Sequence, residues 1–164
     1  MSSRPTPLGA VARGLLAGAL GTGLMSLHQK LMSSGSGASD GEDDPWESAP
    51  TPALVARKLA KGVFDRDLPA ERIGAIAEAV HWAYGLSWGA AYGLVAGTAK
   101  PSPLKAGPAL AVSVWGASYA QLVPMGLYEP PWTYPPKTLA TDLGYHLTYG
   151  LGAALGFAAV DRVA

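Results

Sequence analysis

Apolar residues gather in long runs separated by polar or proline-rich stretches, at about 8–32, 75–97, 107–127 and 138–160. Each run is close to the roughly 20 residues that a helix needs to cross a bilayer. Backbone N–H and C=O groups in lipid must pair within their own segment, so helix is the expected conformation. The pattern predicts an all-α fold: a polytopic membrane helix bundle of about four transmembrane helices in one membrane domain, 1–164. The first run follows Arg4 and Arg13 and is apolar from Gly14 to Leu27. A secretory signal peptide is its rival reading, but no small-x-small cleavage site follows promptly and further apolar runs come later.

The segments between the runs differ in kind. Residues 33–50, SSGSGASDGEDDPWESAP, are acidic and rich in Gly and Ser, which predicts a flexible loop. Trp46 within it and Trp132 in the later YEPPWTYPPK connection suit interfacial anchors. Residues 51–64, TPALVARKLAKGVF, predict a short amphipathic helix capped by Thr51, with Pro52 in its first turn. Val55, Leu59 and Val63 recur at helical spacing, with Arg57, Lys58 and Lys61 set apart from them. Such a helix packs on the rim of the bundle or lies in the lipid headgroup layer. Asp67 is then expected to cap a long helix opened by Pro69 and running to about Ala96.

Composition agrees with lipid as the solvent. Charged residues are 15% of the chain, against roughly 25% in an average soluble domain, and apolar residues are 49%. The formal net charge is zero, so no basic field is present to hold nucleic acid. The chain has no Cys, which excludes disulfides and thiolate metal sites.

Glycine is abundant and spaced. Gly85, Gly89, Gly93 and Gly97 fall at every fourth position, as do Gly14 and Gly18, and Gly152 and Gly156. Small residues at this spacing let helix backbones approach closely, within one chain or between copies. Arg4, Arg13, Lys100, Lys105 and Arg162 fall on one side of the expected bundle, and the rest of the 12 Lys and Arg on the other. The short connections, with Lys100 and Lys105 against Lys137, point to both termini in the cytoplasm. Polar side chains gather in one half of the bundle: His28, Gln29, Glu78, His81, Tyr119, Gln121, Asp142 and His146. The other half reads as dry and packed by glycine.

Glu78 and His81 are three apart and Asp142 and His146 four apart, so each pair shares a helix face. Imidazole beside carboxylate can complete a hydrogen-bonded cluster, shuttle a proton or bind a metal. His81 and His146, expected at similar depth, would also suit two-sided haem ligation. The aromatic set Trp82, Tyr84, Trp88, Tyr92, Trp115, Tyr119, Tyr145 and Tyr149 reads as packing and interface belt. No phosphate-binding loop, no supported Ser-His-Asp set and no HExxH motif occurs.

The spans GLLAGALGTGLMSL, AVHWAYGLSWGAAYGLVAG and DLGYHLTYGLGAALG, with the segment APTPALVARKLAKGV, resemble the YagU-like group of small bacterial inner-membrane proteins. The resemblance covers most of the chain outside 33–45. It implies a bacterial inner-membrane helical bundle and brings no catalytic residues with it. The expected function is a non-enzymatic accessory or interaction subunit of the inner membrane, without a cofactor. Its partners would be the lipid bilayer and another membrane protein or a second copy. The alternatives are an oligomeric transporter or proton-linked channel built around Glu78, His81, Asp142 and His146, and a haem- or metal-binding protein using His81 and His146.

Overall fold

The computed structural model describes residues 5–33 and 44–163. Most of the acidic Gly/Ser stretch and Arg4 therefore lie outside the described residues. Among the described residues the fold is all-α, without strands: α1 (Pro7–Ser33), α2 (Thr51–Phe64), α3 (Ile73–Ala99), α4 (Pro103–Leu122) and α5 (Pro136–Val163). One turn of 3-10 helix, Ala70–Arg72, precedes α3, and another, Pro131–Thr133, precedes α5. The chain divides into two compact units: Met1–Ser34 with Tyr84–Ala164, and Gly35–Ala83. The long helix α3 begins in the second unit and continues in the first.

The larger unit is held together where large side chains are missing. Gly14 and Gly18 of α1 meet Gly85, Gly89 and Gly93 of α3. A Cβ on Gly18 would stand 2.8 Å from the Gly85 carbonyl oxygen and 2.9 Å from Gly89 Cα, so the two backbones touch directly. On a second face of α1, Gly21 lies against Tyr149 and Ala153 of α5, and Ala17 against Gly156. Gly107 and Ala111 of α4 meet Gly150 of α5. In each pairing residue numbers rise on one helix as they fall on the other, so α1 runs antiparallel to α3 and α5, and α4 antiparallel to α5.

The interior is accordingly made of Ala10, Ala17, Ala111, Ala153 and Ala154 with these glycines, filled by Met25, Val114, Tyr149 and Phe157. Many other large apolar side chains stand outside it. Leu8, Leu15, Leu16, Leu20, Leu24, Leu27 and Leu31 of α1 are all exposed, Leu16 by 62%, as are Leu94 and Val95 of α3 and Leu155 of α5. Burying a leucine from water is worth roughly 1.5–3 kcal/mol, and burying glycine offers no comparable gain. Among the described residues one helix, α1, is long and apolar enough to cross a membrane by length and composition. At 27 residues it measures about 40 Å. In α3 and α5, of similar length, Trp, Tyr, Gly and His dilute the aliphatic content.

The smaller unit closes over Trp46, Ala53 and Ala77, with Leu54, Leu68, Ile73 and Ile76 packed around them. Trp46, expected as an interfacial anchor, is 6% exposed, and its ring belongs to the core of this unit. The Arg57 guanidinium lies 4.9 Å from the centre of that ring. The expected caps are not used. Pro50 precedes α2 with no side-chain cap, and Thr51 is its first helical residue. Asp67 accepts a hydrogen bond from Lys61 Nζ at 3.3 Å instead of capping α3, whose entry is the 3-10 turn after Pro69. Lys61 also pairs with Asp65 at 3.0 Å. The hydrogen bond to Asp65, then that to Asp67, raise the Lys61 pKa above its ordinary value. α2 ends in a left-handed cap: Asp65 is left-handed (φ 49°), its N–H reaches Lys61 O at 3.2 Å, and Arg66 N–H reaches Ala60 O at 3.1 Å. The helix expected over 107–127 runs over Pro103–Leu122 instead, because Pro124 and the left-handed Gly126 (φ 63°) turn the chain out of helix.

A methyl group at Gly89 would sit 2.8 Å from Gly18 N, whereas one at Gly116 of α4 would meet nothing within 4 Å. Gly89→Ala is therefore expected to destabilise the larger unit by roughly 1–3 kcal/mol, the usual cost of overpacking. Gly116→Ala should leave it unchanged or slightly more stable. Reversible unfolding of the detergent-solubilised protein by sodium dodecyl sulfate measures both.

Candidate functional site

The polar residues singled out from the sequence divide between the two units. Glu78 and His81 lie on the part of α3 that belongs to the smaller unit, and Asp142 and His146 lie on α5 in the larger one. Each pair is described in its own surroundings.

Asp142 and His146 are brought together, one turn apart, with Nδ1 of His146 3.5 Å from the Asp142 carboxylate. The closer partner of that nitrogen is the Asp142 backbone carbonyl, at 2.8 Å. A carbonyl can only accept, so Nδ1 carries the proton and Nε2 is the basic atom of the neutral ring. The Asp142 carboxylate looks across to α4. Its Oδ2 accepts from Trp115 Nε1 at 2.9 Å and from Tyr119 O–H at 3.4 Å. Trp115 and Tyr119 are themselves a turn apart, edge to face at 5.2 Å. Tyr128 and Tyr134, from the connection after α4, pack on the Tyr119 ring at 5.2 and 6.1 Å.

The same end of the unit holds a second histidine. Thr148 donates its hydroxyl to Gly144 O at 3.1 Å, so its oxygen accepts from His28 Nδ1, 2.8 Å away. Tyr145 presents its ring edgewise to His28 at 4.9 Å. Both histidines of this end therefore share one tautomer, fixed in each case by an oxygen on α5. Tyr149 donates to Gly85 O at 2.6 Å and Gln121 to the Tyr84 hydroxyl at 3.3 Å, which ties α5 and α4 to α3. Outside the carboxylate, Lys137, Thr138, Thr141, Asp142 and Tyr145 line a shallow depression of about 330 Å³. The arrangement can orient a carboxylate, relay a proton along α5 or satisfy polar groups within the unit.

In the smaller unit Glu78 accepts from Trp82 Nε1, one turn on, at 3.1 Å, and both side chains are exposed. His81 is half-buried. Among the described residues no group of three or more His, Asp and Glu stands close enough to hold a metal ion.

Two features had not been singled out. The real partners of Asp142 are Trp115 and Tyr119, whose spacing of four placed them on one face of α4. The other is an ion pair between Arg13 and Asp161, about a fifth exposed, which joins α1 to α5 at the opposite end of the unit. That end is therefore not dry. Neither residue lies near the other in sequence, and only the antiparallel pairing of the first and last helices unites them.

Comparison of the chain with family models, with curated proteins and with solved structures found no match.

Replacing Asp142 separates support from charge. Asp142→Asn keeps an oxygen for Trp115 and Tyr119 and should change stability little. Asp142→Leu leaves both donors without an acceptor and should cost roughly 1–3 kcal/mol. Unfolding of the two variants side by side in detergent reads the difference.

Proposed function

We propose that this chain is a multi-pass membrane protein, with α1, α3, α4 and α5 as its spans, and that it serves as a non-enzymatic accessory or interaction subunit of a bacterial inner membrane. The observation that carries the reading is the inverted distribution of side-chain size. Glycine and alanine form the helix contacts, while leucine and valine cover the outside. Lipid favours this order, since tails are as apolar as leucine and only close backbone packing draws helices together. α3, α4 and α5 fall short of the measure that α1 satisfies, but Trp and Tyr rings are at home near membrane surfaces. Trp132, 82% exposed in the turn before α5, suits an anchor at the headgroup level.

An accessory role is supported by how the polar end spends its hydrogen bonds. Asp142, Thr148, Tyr149 and Gln121 bind neighbouring helices of the same unit. Between α1 and α3 the backbones leave no room for a Cβ, so no solute path runs along that contact. The resemblance to YagU-like proteins supports the inner membrane, and the charges of the short connections favour cytoplasmic termini. A transporter or proton-linked channel is the second reading. It is favoured by one observation, the Asp142 carboxylate beside His146 at the edge of an open depression.

The absence of cysteine makes topology simple to test. Single variants Ser102→Cys and Trp132→Cys are exposed, in intact cells, to a maleimide that cannot cross the membrane. Four spans predict labelling at 132 and protection at 102 until the cells are opened. Equal behaviour at both positions would overturn the multi-pass reading. For the second reading, reconstituted vesicles should show a pH-driven proton flux that Asp142→Asn abolishes. The accessory reading expects no flux above that of protein-free vesicles.

A further inference from the structure

α2 gives only Ala53 and Leu54 to the core of its unit. Its larger apolar side chains go elsewhere. Leu59 and Val63, one turn apart on one face, are 52% and 68% exposed, and Phe64 at the end of the helix is 70% exposed. Val55 continues the same face one turn earlier. Of the five helices, α2 separates its apolar and polar positions most sharply. Its basic residues stand off the apolar strip instead of interrupting it. Arg57 is turned back onto Trp46 and Asp44, and Lys61 onto Asp65 and Asp67.

We infer that the Val55–Leu59–Val63 face of α2 is a docking surface for the bilayer itself, with α2 lying along the headgroup layer. This rests on the membrane reading above. Two observations select lipid as the occupant. The first is continuity: the segment carrying α2 leaves from the end of α1 and returns through α3, so both its ends join helices that the reading places in the membrane. Such a segment is held beside the bilayer surface by its own chain. The second is charge. Lys58, exposed and next to Val55 on the helix, borders the apolar strip on a stem long enough to reach phosphate while leucine and valine enter the acyl boundary. A short helix with a sharp polar boundary and too few residues to span suits that position.

The test uses the full chain in vesicles of phosphatidylethanolamine and phosphatidylglycerol. Nitroxide labels are attached to single-cysteine variants, and their collisions with oxygen, which concentrates in lipid, are compared with those of a water-soluble nickel chelate. Val63→Cys and Leu59→Cys replace exposed side chains, so the fold should tolerate both. Lys61→Cys reports the polar side, and Leu20→Cys, on the exposed face of α1, reports the membrane reading independently. The expected result is oxygen in excess of nickel at positions 20, 59 and 63, and the reverse at 61. Oxygen in excess at 20 with nickel in excess at 59 and 63 would overturn this proposal and leave the membrane reading standing. Shielding of 59 and 63 from both reagents would show a protein cover, a second copy or another chain, and would also overturn it. Nickel in excess at 20 would bring down both.

Discussion

The backbone contact between α1 and α3 sets the terms for the rest of the larger unit. Gly14 and Gly18 face Gly85, Gly89 and Gly93 so closely that no side chain fits between the helices. The attraction is then dispersion between backbones, summed along several turns. It requires glycine on both helices at the same spacing. It also turns the leucines of α1 outward, because a helix whose inner face is glycine must carry its bulk on the other side. With α1 so committed, α5 takes its second small face through Gly21, Ala17, Gly152 and Gly156, and α4 joins through Gly107 and Gly150.

Polar groups add direction to a packing scheme that has little of its own. Small-residue contacts allow helices to slide by a turn, since the glycine repeat is nearly self-similar. The hydrogen bond from Tyr149 to Gly85 O, the Asp142 pairing with Trp115 and Tyr119, and the Arg13–Asp161 ion pair each exist in one register only. They lie at different heights along the helices and together fix the pairing of α5 with α1, α3 and α4. A carboxylate shared by an indole and a phenol fits this role without any further chemistry.

Much of this was legible in the sequence, and for a physical reason. Helix positions follow from runs of apolar residues, and the glycine faces follow from a spacing of four, both local properties of the chain. The all-α class and the amphipathic character of α2 came the same way. Trp46 is less legible: expected as an interfacial anchor, its ring is held by Ala53, Ala77 and Arg57 from elsewhere in its unit. Thr51 and Asp67 are common capping residues, but Pro50 and Pro69 set the entries of α2 and of the turn before α3. The Arg13–Asp161 pair spans nearly the whole chain, and nothing local in either segment announces it.

On the proposed reading the large apolar side chains face lipid, with four helices crossing it. Polarised infrared spectroscopy of the protein in oriented bilayers tests this arrangement, because the amide I transition reports how helices lie relative to the membrane normal. Four spans predict strong alignment along the normal from α1, α3, α4 and α5 together, with α2 contributing little to it. Alignment that a single helix of 27 residues could supply, or none at all, would contradict it.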